Sequence, residues 1–227
     1  MSDVNPNQDL RFKEILKTLL PGGYLLAFVF LAKEICKATV KSGYEQVFIC
    51  LSDASPSTAY TILLLVAFMT GYVNHFMASA FERIMYFTKI LPRPSKIVLN
   101  GCKCYRVDHL GMILEEFKPL LFNGHVCQSQ AAIILSSIKS RITRKDNLVE
   151  DFYHRSIMGR NFFSAQFWAT TFCLTTLDGT FNSKFLLTST VLLVIFFAEW
   201  YRQNCVYVKN IFQEYIIERN QLMPHEY

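Results

Sequence analysis

Cys102, Cys104, His109, His125 and Cys127 place five soft side chains within 26 residues. Thiolate and imidazole are the donors of structural zinc sites, and such sites usually pair their ligands across about two to four residues. Here Cys102 and Cys104, and again His125 and Cys127, are separated by a single residue. The spacing therefore predicts ordinary reduced cysteines and no metal. Seven cysteines, odd in number and scattered, predict no disulfide framework. The sequence carries no Gly-rich phosphate loop, no nucleophile elbow and no metal-binding helix pair. No catalytic residue and no cofactor are expected, and the chain is not read as an enzyme.

The remaining chemistry-bearing residues sit inside apolar sequence. Asn74 and His75 fall about two-thirds of the way along residues 59–81, a run of 23 residues without a charge. An ionisable group within a membrane segment is a functional candidate by default. The plainer reading is a histidine near the inner interface that bonds a neighbouring helix. Gln166, Thr170 and Thr171, followed by Thr175 and Thr176, make a later apolar stretch polar on more than one side. That pattern suits hydrogen bonding between helices of a homo-oligomer, expected to be a tetramer, and suits a water-lined pore less well.

The elements that must carry these residues follow from the apolar distribution. The chain is 52% hydrophobic with 20 Phe and only 18% charged, and the apolar residues gather into four stretches. A bilayer-crossing helix needs about 20 apolar residues. Residues 59–81 meet that outright; 19–32, 162–177 and 185–198 reach it only if snorkelling ends such as Lys17, Lys33, Lys184 and Arg202 are counted. A soluble all-α core with three buried helices is the alternative. Charge placement argues against it. If all four stretches span, one side holds nineteen Lys and Arg and the other only Lys33, Lys37, Lys41 and Lys184, which is the positive-inside pattern.

The fold expected is an all-α membrane protein with four transmembrane helices and a small, mostly α cytoplasmic domain between spans 2 and 3. Its parts are an amphipathic N-terminal segment (1–18), a first pair of spans (19–36 and 59–81), a basic cytoplasmic domain (82–161), a second pair (162–200) and a cytoplasmic tail (201–227). A bacterial inner membrane with both termini in the cytoplasm is the location expected. Residues 146–177 can form one helix of about 48 Å that enters the bilayer from the cytoplasm without interruption; 59–91 is its mirror image, ending at "LPRP". "PGG" at 21–23 is expected to break or kink the first helix. Within the central domain, Ala131, Ile134, Leu135, Ile138 and Ile142 form a helical stripe, "HLGMILEEFKP" a short helix, and the Asn-Gly pair in "KIVLNGCKCYRV" a tight hairpin.

The central region carries thirteen basic and seven acidic residues. Arg141, Arg144 and Lys145 are its densest group, while Arg155 and Arg160 stand where a helix would pass the phosphate level. Such a face points to anionic lipid head groups or an acidic protein partner. Direct nucleic-acid binding is not expected, since aromatic residues do not interleave the charges.

The span order around "VNHFMASAFERI" and "HRSIMGRNFFSAQFW" resembles the membrane-subunit family of the bacterial Kiwa anti-phage defence system. That resemblance is architectural and covers the whole chain. It implies an inner-membrane sensor or scaffold that oligomerises and recruits a cytoplasmic, DNA-binding partner subunit. A pore-forming effector that depolarises the membrane is the competing expectation.

Overall fold

A computed structural model describes residues 6–36, 39–40, 55–120, 126–142, 147–178 and 183–222. The protein is helical: α1 (Pro6–Cys36), α2 (Pro56–Phe87), α3 (Pro94–Leu99), α4 (Leu110–Glu116), α5 (Gln128–Arg141), α6 (Asn147–Thr176) and α7 (Ser183–Leu222). Two-residue strands β1 (Thr39–Val40) and β2 (Leu177–Asp178) pair antiparallel, Thr39 opposite Asp178. Ile15–Glu34, Pro56–Phe87 and Ser183–Gln221 are long and apolar enough to cross a membrane. Among the described residues three helices thus meet the criterion of length and composition, against four spans expected from the sequence; of the four stretches expected to span, the one in α6 does not.

The chain divides into two units. The first comprises residues 1–81 and 157–199, the second 82–156 and 200–227. Three helices, α2, α6 and α7, contribute residues to both.

Helix starts and stops follow local chemistry. Ser55 accepts the Thr58 amide hydrogen at 3.4 Å ahead of Pro56 at the first helical position, where a missing amide costs nothing. Helix α2 then runs to Phe87, and Lys89 at φ 58° turns the chain out of it. Helix α6 begins at Asn147 and continues through Arg155 and Arg160 to Thr176, so the expected uninterrupted helix is present. Pro21 lies inside α1 without ending it, so of the break or kink expected at "PGG" the break does not occur. A hydrogen bond from another helix, described below, serves the carbonyl that the proline cannot. Gly22 is used differently: a methyl there would fall on the Ala67 carbonyl oxygen and within 2.7 Å of the Gly71 nitrogen. The two glycines let the α1 and α2 backbones touch.

The hairpin expected at Asn100-Gly101 is absent. Residues 94–99 are helical, and Gly101, at φ 72°, ends α3. Its amide donates to Val98 O at 3.1 Å and the Cys102 amide to Ile97 O at 3.4 Å. This is the Schellman arrangement, in which a left-handed glycine satisfies the last carbonyls of a helix. The same dipeptide suits a tight turn and a helix end; the apolar face of Val98 and Leu99, both buried, selects the helix.

The second unit is built around α5. Ala131, Ile134 and Ile138 are fully buried and pack with Val98, Leu99, Ile113 and Phe117, and with Val208, Ile211, Phe212, Tyr215 and Ile216 of α7. The sequence reading treated 201–227 as a tail. Instead, α7 supplies a face of the core at i, i+3, i+4, i+7 and i+8 spacing. Each such large side chain contributes about 1.5–3 kcal/mol by leaving water.

Candidate functional site

Polar groups of α1, α2 and α6 meet inside the first unit around a residue the sequence reading did not single out, Asn161. Its side chain is fully buried. Asn161 Nδ2 donates to Lys17 O at 2.8 Å, the carbonyl whose partner four residues on is Pro21, which has no amide hydrogen. The same amide approaches His75 Nδ1 at 3.0 Å, and Arg160 Nη2 lies 3.5 Å from that nitrogen. Asn161 Oδ1 lies 3.2 Å from the same nitrogen, so the side-chain amide of Asn161 and the His75 ring can bond in either tautomer. Asn74 Nδ2 donates to the Asn161 carbonyl oxygen at 2.8 Å, while Asn74 Oδ1 is buried without a hydrogen-bond partner.

A second polar group lies further along α6. The Tyr24 hydroxyl donates to Gln166 Oε1, and Gln166 Nε2 donates to Thr170 Oγ1 at 3.1 Å. Thr170 returns its hydroxyl hydrogen to Gln166 O at 2.8 Å. Rings hold Tyr24 in place: Phe162 and Phe196 stand edge-on to it at 5.6 and 5.5 Å. Thr171 donates to Phe167 O at 2.9 Å within its own helix. Gln166 and these threonines are therefore satisfied within one chain.

Of the residues singled out by sequence, Asn74, His75 and Arg160 come together; Gln166 and Thr170 form the adjoining pair; Thr171 stands apart. Arg155 is exposed, its guanidinium 5.6 Å from the Phe152 ring. Arg144, Lys145 and His125 lie outside the described residues. Arg141 does not stand free as a docking charge. It pairs with Glu116, which also binds Arg219 and accepts the Tyr215 hydroxyl at 2.7 and 2.8 Å. The hydrogen bonds to Tyr215 and Glu116 hold its guanidinium pKa above the ordinary value. The hub joins α4, α5 and α7, and its half-exposed arginines make it worth only about 0–1 kcal/mol per ion pair.

Of the cysteine–histidine group, the four described members do not gather into one site. Cys102 is partly buried, Cys104 and Cys127 are exposed, and exposed His109 caps α4 in the left-handed region at φ 58°. Among the described residues no three His, Cys, Asp or Glu side chains are placed to share a metal ion. Cys127 has a structural duty instead. Its amide donates to Gln130 Oε1 at 2.8 Å, half of a capping box at the start of α5. A hydrogen bond from Ser129 lowers its thiol pKa.

The Asn161 cluster pairs no nucleophile with a base. It can fix the register of three helices, and it holds a titratable ring against a permanent cation. Its sequence signal was present: an asparagine beside Arg160, immediately before an apolar stretch, opposite a proline-containing helix. Comparison with known protein families, with curated proteins and with solved structures yields no match.

Proposed function

We propose that this protein is a multi-pass inner-membrane sensor or scaffold, which carries a helical cytoplasmic domain and recruits a cytoplasmic partner subunit in anti-phage defence. The observation that supports this reading is that α2, α6 and α7 each run from the first unit into the second without a break. A shift of any of them in the membrane has a continuous helix through which to reach the basic unit.

In this proposal α6 is the fourth span despite its composition. Its polar residues Asn161, Ser164 and Gln166 are buried, while the large side chains it exposes beyond Arg160 are Phe167, Trp168, Phe172 and Leu174. Exposed Thr175 returns its hydroxyl to Thr171 O at 3.0 Å, a bond a helix can make in lipid. The nineteen-to-four division of Lys and Arg supports a cytoplasmic second unit.

The test is expression of the chain alone and together with its neighbouring genes in a phage-sensitive host, with plaque counts and membrane potential recorded. A scaffold leaves the potential unchanged when expressed alone and protects only with its partner. Depolarisation by the chain alone would instead identify a pore, and protection without any partner would refute recruitment.

A further inference from the structure

At the end of α2, Glu82, Arg83, Ile84, Tyr86, Phe87 and Arg93 line a surface groove within the second unit. Two of its apolar side chains are exposed, Phe87 by 86% and Ile84 by 57%, and Ile90, three residues beyond Phe87, is 71% exposed. Its charges are mainly basic. Exposed Arg83 and Lys89 and partly buried Arg93 make no ion pair among the described residues. The Arg93 guanidinium lies 5.8 Å from the Tyr86 ring centroid, and its Nε is buried without a hydrogen-bond partner. The acid of the groove, Glu82, is engaged from α7, where Asn204 Nδ2 donates to its carboxylate at 3.3 Å.

The register of α2 says what covers this surface. Leu65, Met69, Tyr72 and Phe76 are exposed large side chains at spacings of four, three and four, on one helical face. Seven and eleven residues beyond Phe76, the same face carries Arg83 and Phe87. A stripe that is apolar over its length becomes basic at Arg83 and apolar again at Phe87. From exposed Tyr60 to Arg83 the axis advances about 35 Å, close to a hydrocarbon core of about 30 Å. Arg83 therefore falls at phosphate depth, with Arg93 lining the same groove and exposed Lys89 between them in sequence.

We propose that this groove is a binding site for an anionic phospholipid, with Arg83, Lys89 and Arg93 on the headgroup phosphate and Phe87 and Ile84 against its glycerol and upper acyl chain. Guanidinium forks fit phosphate oxygens, and basic residues beside a span recognise anionic head groups. The Arg93 Nε supplies a donor already withdrawn from water. A soluble acidic protein would account for the charges but not for the apolar rim lying in line with the lipid-facing stripe. The site rests on the membrane-embedded reading of α2.

The experiment uses the full-length protein in detergent, offered phosphatidylglycerol or phosphatidylcholine, with retained lipid counted by native mass spectrometry. Phosphatidylglycerol should be retained preferentially. The combined change Arg83→Gln, Lys89→Gln and Arg93→Gln should lower its retention by about tenfold or more, while Lys103→Gln with Arg106→Gln in the same unit should not. Displacement by millimolar glycerol phosphate would show a soluble-phosphate site and overturn the lipid assignment; so would equal retention of the two lipids. A photoactivatable phosphatidylglycerol removes dependence on the variants' folding, because in the unmodified protein its label should map to residues 82–93. Label found only elsewhere overturns the site yet leaves the membrane reading standing; a protein that leaves the membrane fraction without detergent would sink both.

Discussion

Asn161 of α6 donates a hydrogen bond to the Lys17 carbonyl of α1 at 2.8 Å, and the residue four positions beyond Lys17 is Pro21. A defect in one helix is thus answered by a side chain of another. The arrangement explains why α1 continues through its proline, and it predicts a coupling. Asn161→Ala should destabilise the protein by about 1–2 kcal/mol, since interhelical bonds in membranes are individually modest. Pro21→Ala returns an amide to the Lys17 carbonyl, so the double variant should lose less than the sum of the single ones. Unfolding titrations in mixed micelles measure both, and strict additivity would show that the bond does not compensate for the proline.

The contact of α1 with α2 allows a sharper comparison among glycines. Gly22→Ala sets a methyl on the Ala67 carbonyl and Gly71→Ala sets one on the Thr18 carbonyl, whereas Gly23 faces open space. The first two changes should each cost about 1–3 kcal/mol by forcing the helices apart. Gly23→Ala should cost nothing, and helix propensity favours it. Thermal melts in detergent rank the three; equal behaviour at 22 and 23 would contradict the close crossing.

Phe212 tests whether the end of α7 is core or tail. Its side chain is fully buried among α4, α5 and α7 residues, so Phe212→Ala should cost about 3–5 kcal/mol. Hydrogen exchange should then rise at Ile134 and Ile138, far away in sequence. Protection unchanged in α5 would return residues 201–222 to the status of a tail.

Cys127 offers a pH readout. Its thiol pKa is lowered, chiefly by the Ser129 hydrogen bond, so at neutral pH a larger fraction is thiolate, the form that alkylates. Removing the donor with Ser129→Ala should move the pKa back up. The rate of iodoacetamide labelling at Cys127 should fall near pH 7, with the profile shifted to higher pH. A profile that does not move would mean that Ser129 does not reach the thiolate.

Much of this architecture was legible where one residue pattern allows one structure. The apolar run of α2, the stripe from Ala131 to Ile138 and the turn-free passage from Arg155 into Phe162 each fit only a helix. Asn100-Gly101 was read as a hairpin because a left-handed glycine serves both a tight turn and a helix end, and only burial of Val98 and Leu99 decides between them. The core face of α7 was obscured by Arg202, Lys209, Glu214, Glu218 and Arg219 interleaved with it, although Val208, Ile211, Phe212, Tyr215 and Ile216 keep helical spacing. Asn74 and His75 were found as intrusions in apolar sequence. Their partner Asn161 was not, because an asparagine next to Arg160 looks like part of a solvated helix end until α1 is seen to need its amide.

Helix α7 has a further consequence for how the protein is made. The strip of α5 formed by Ala131, Ile134 and Ile138 finds part of its cover in residues 208–216, which leave the ribosome after the last apolar segment. At about 5–20 residues per second, the interval between synthesis of Ser156 and of Leu222 is roughly 3–13 s. During that time the half-built basic unit waits with an oily face open. If α7 spans a membrane as proposed, that cover arrives only after the preceding part of α7 has entered the bilayer. A chain that ended before residue 208 would lack this face of the core of its second unit, and the apolar strip of α5 would stay open.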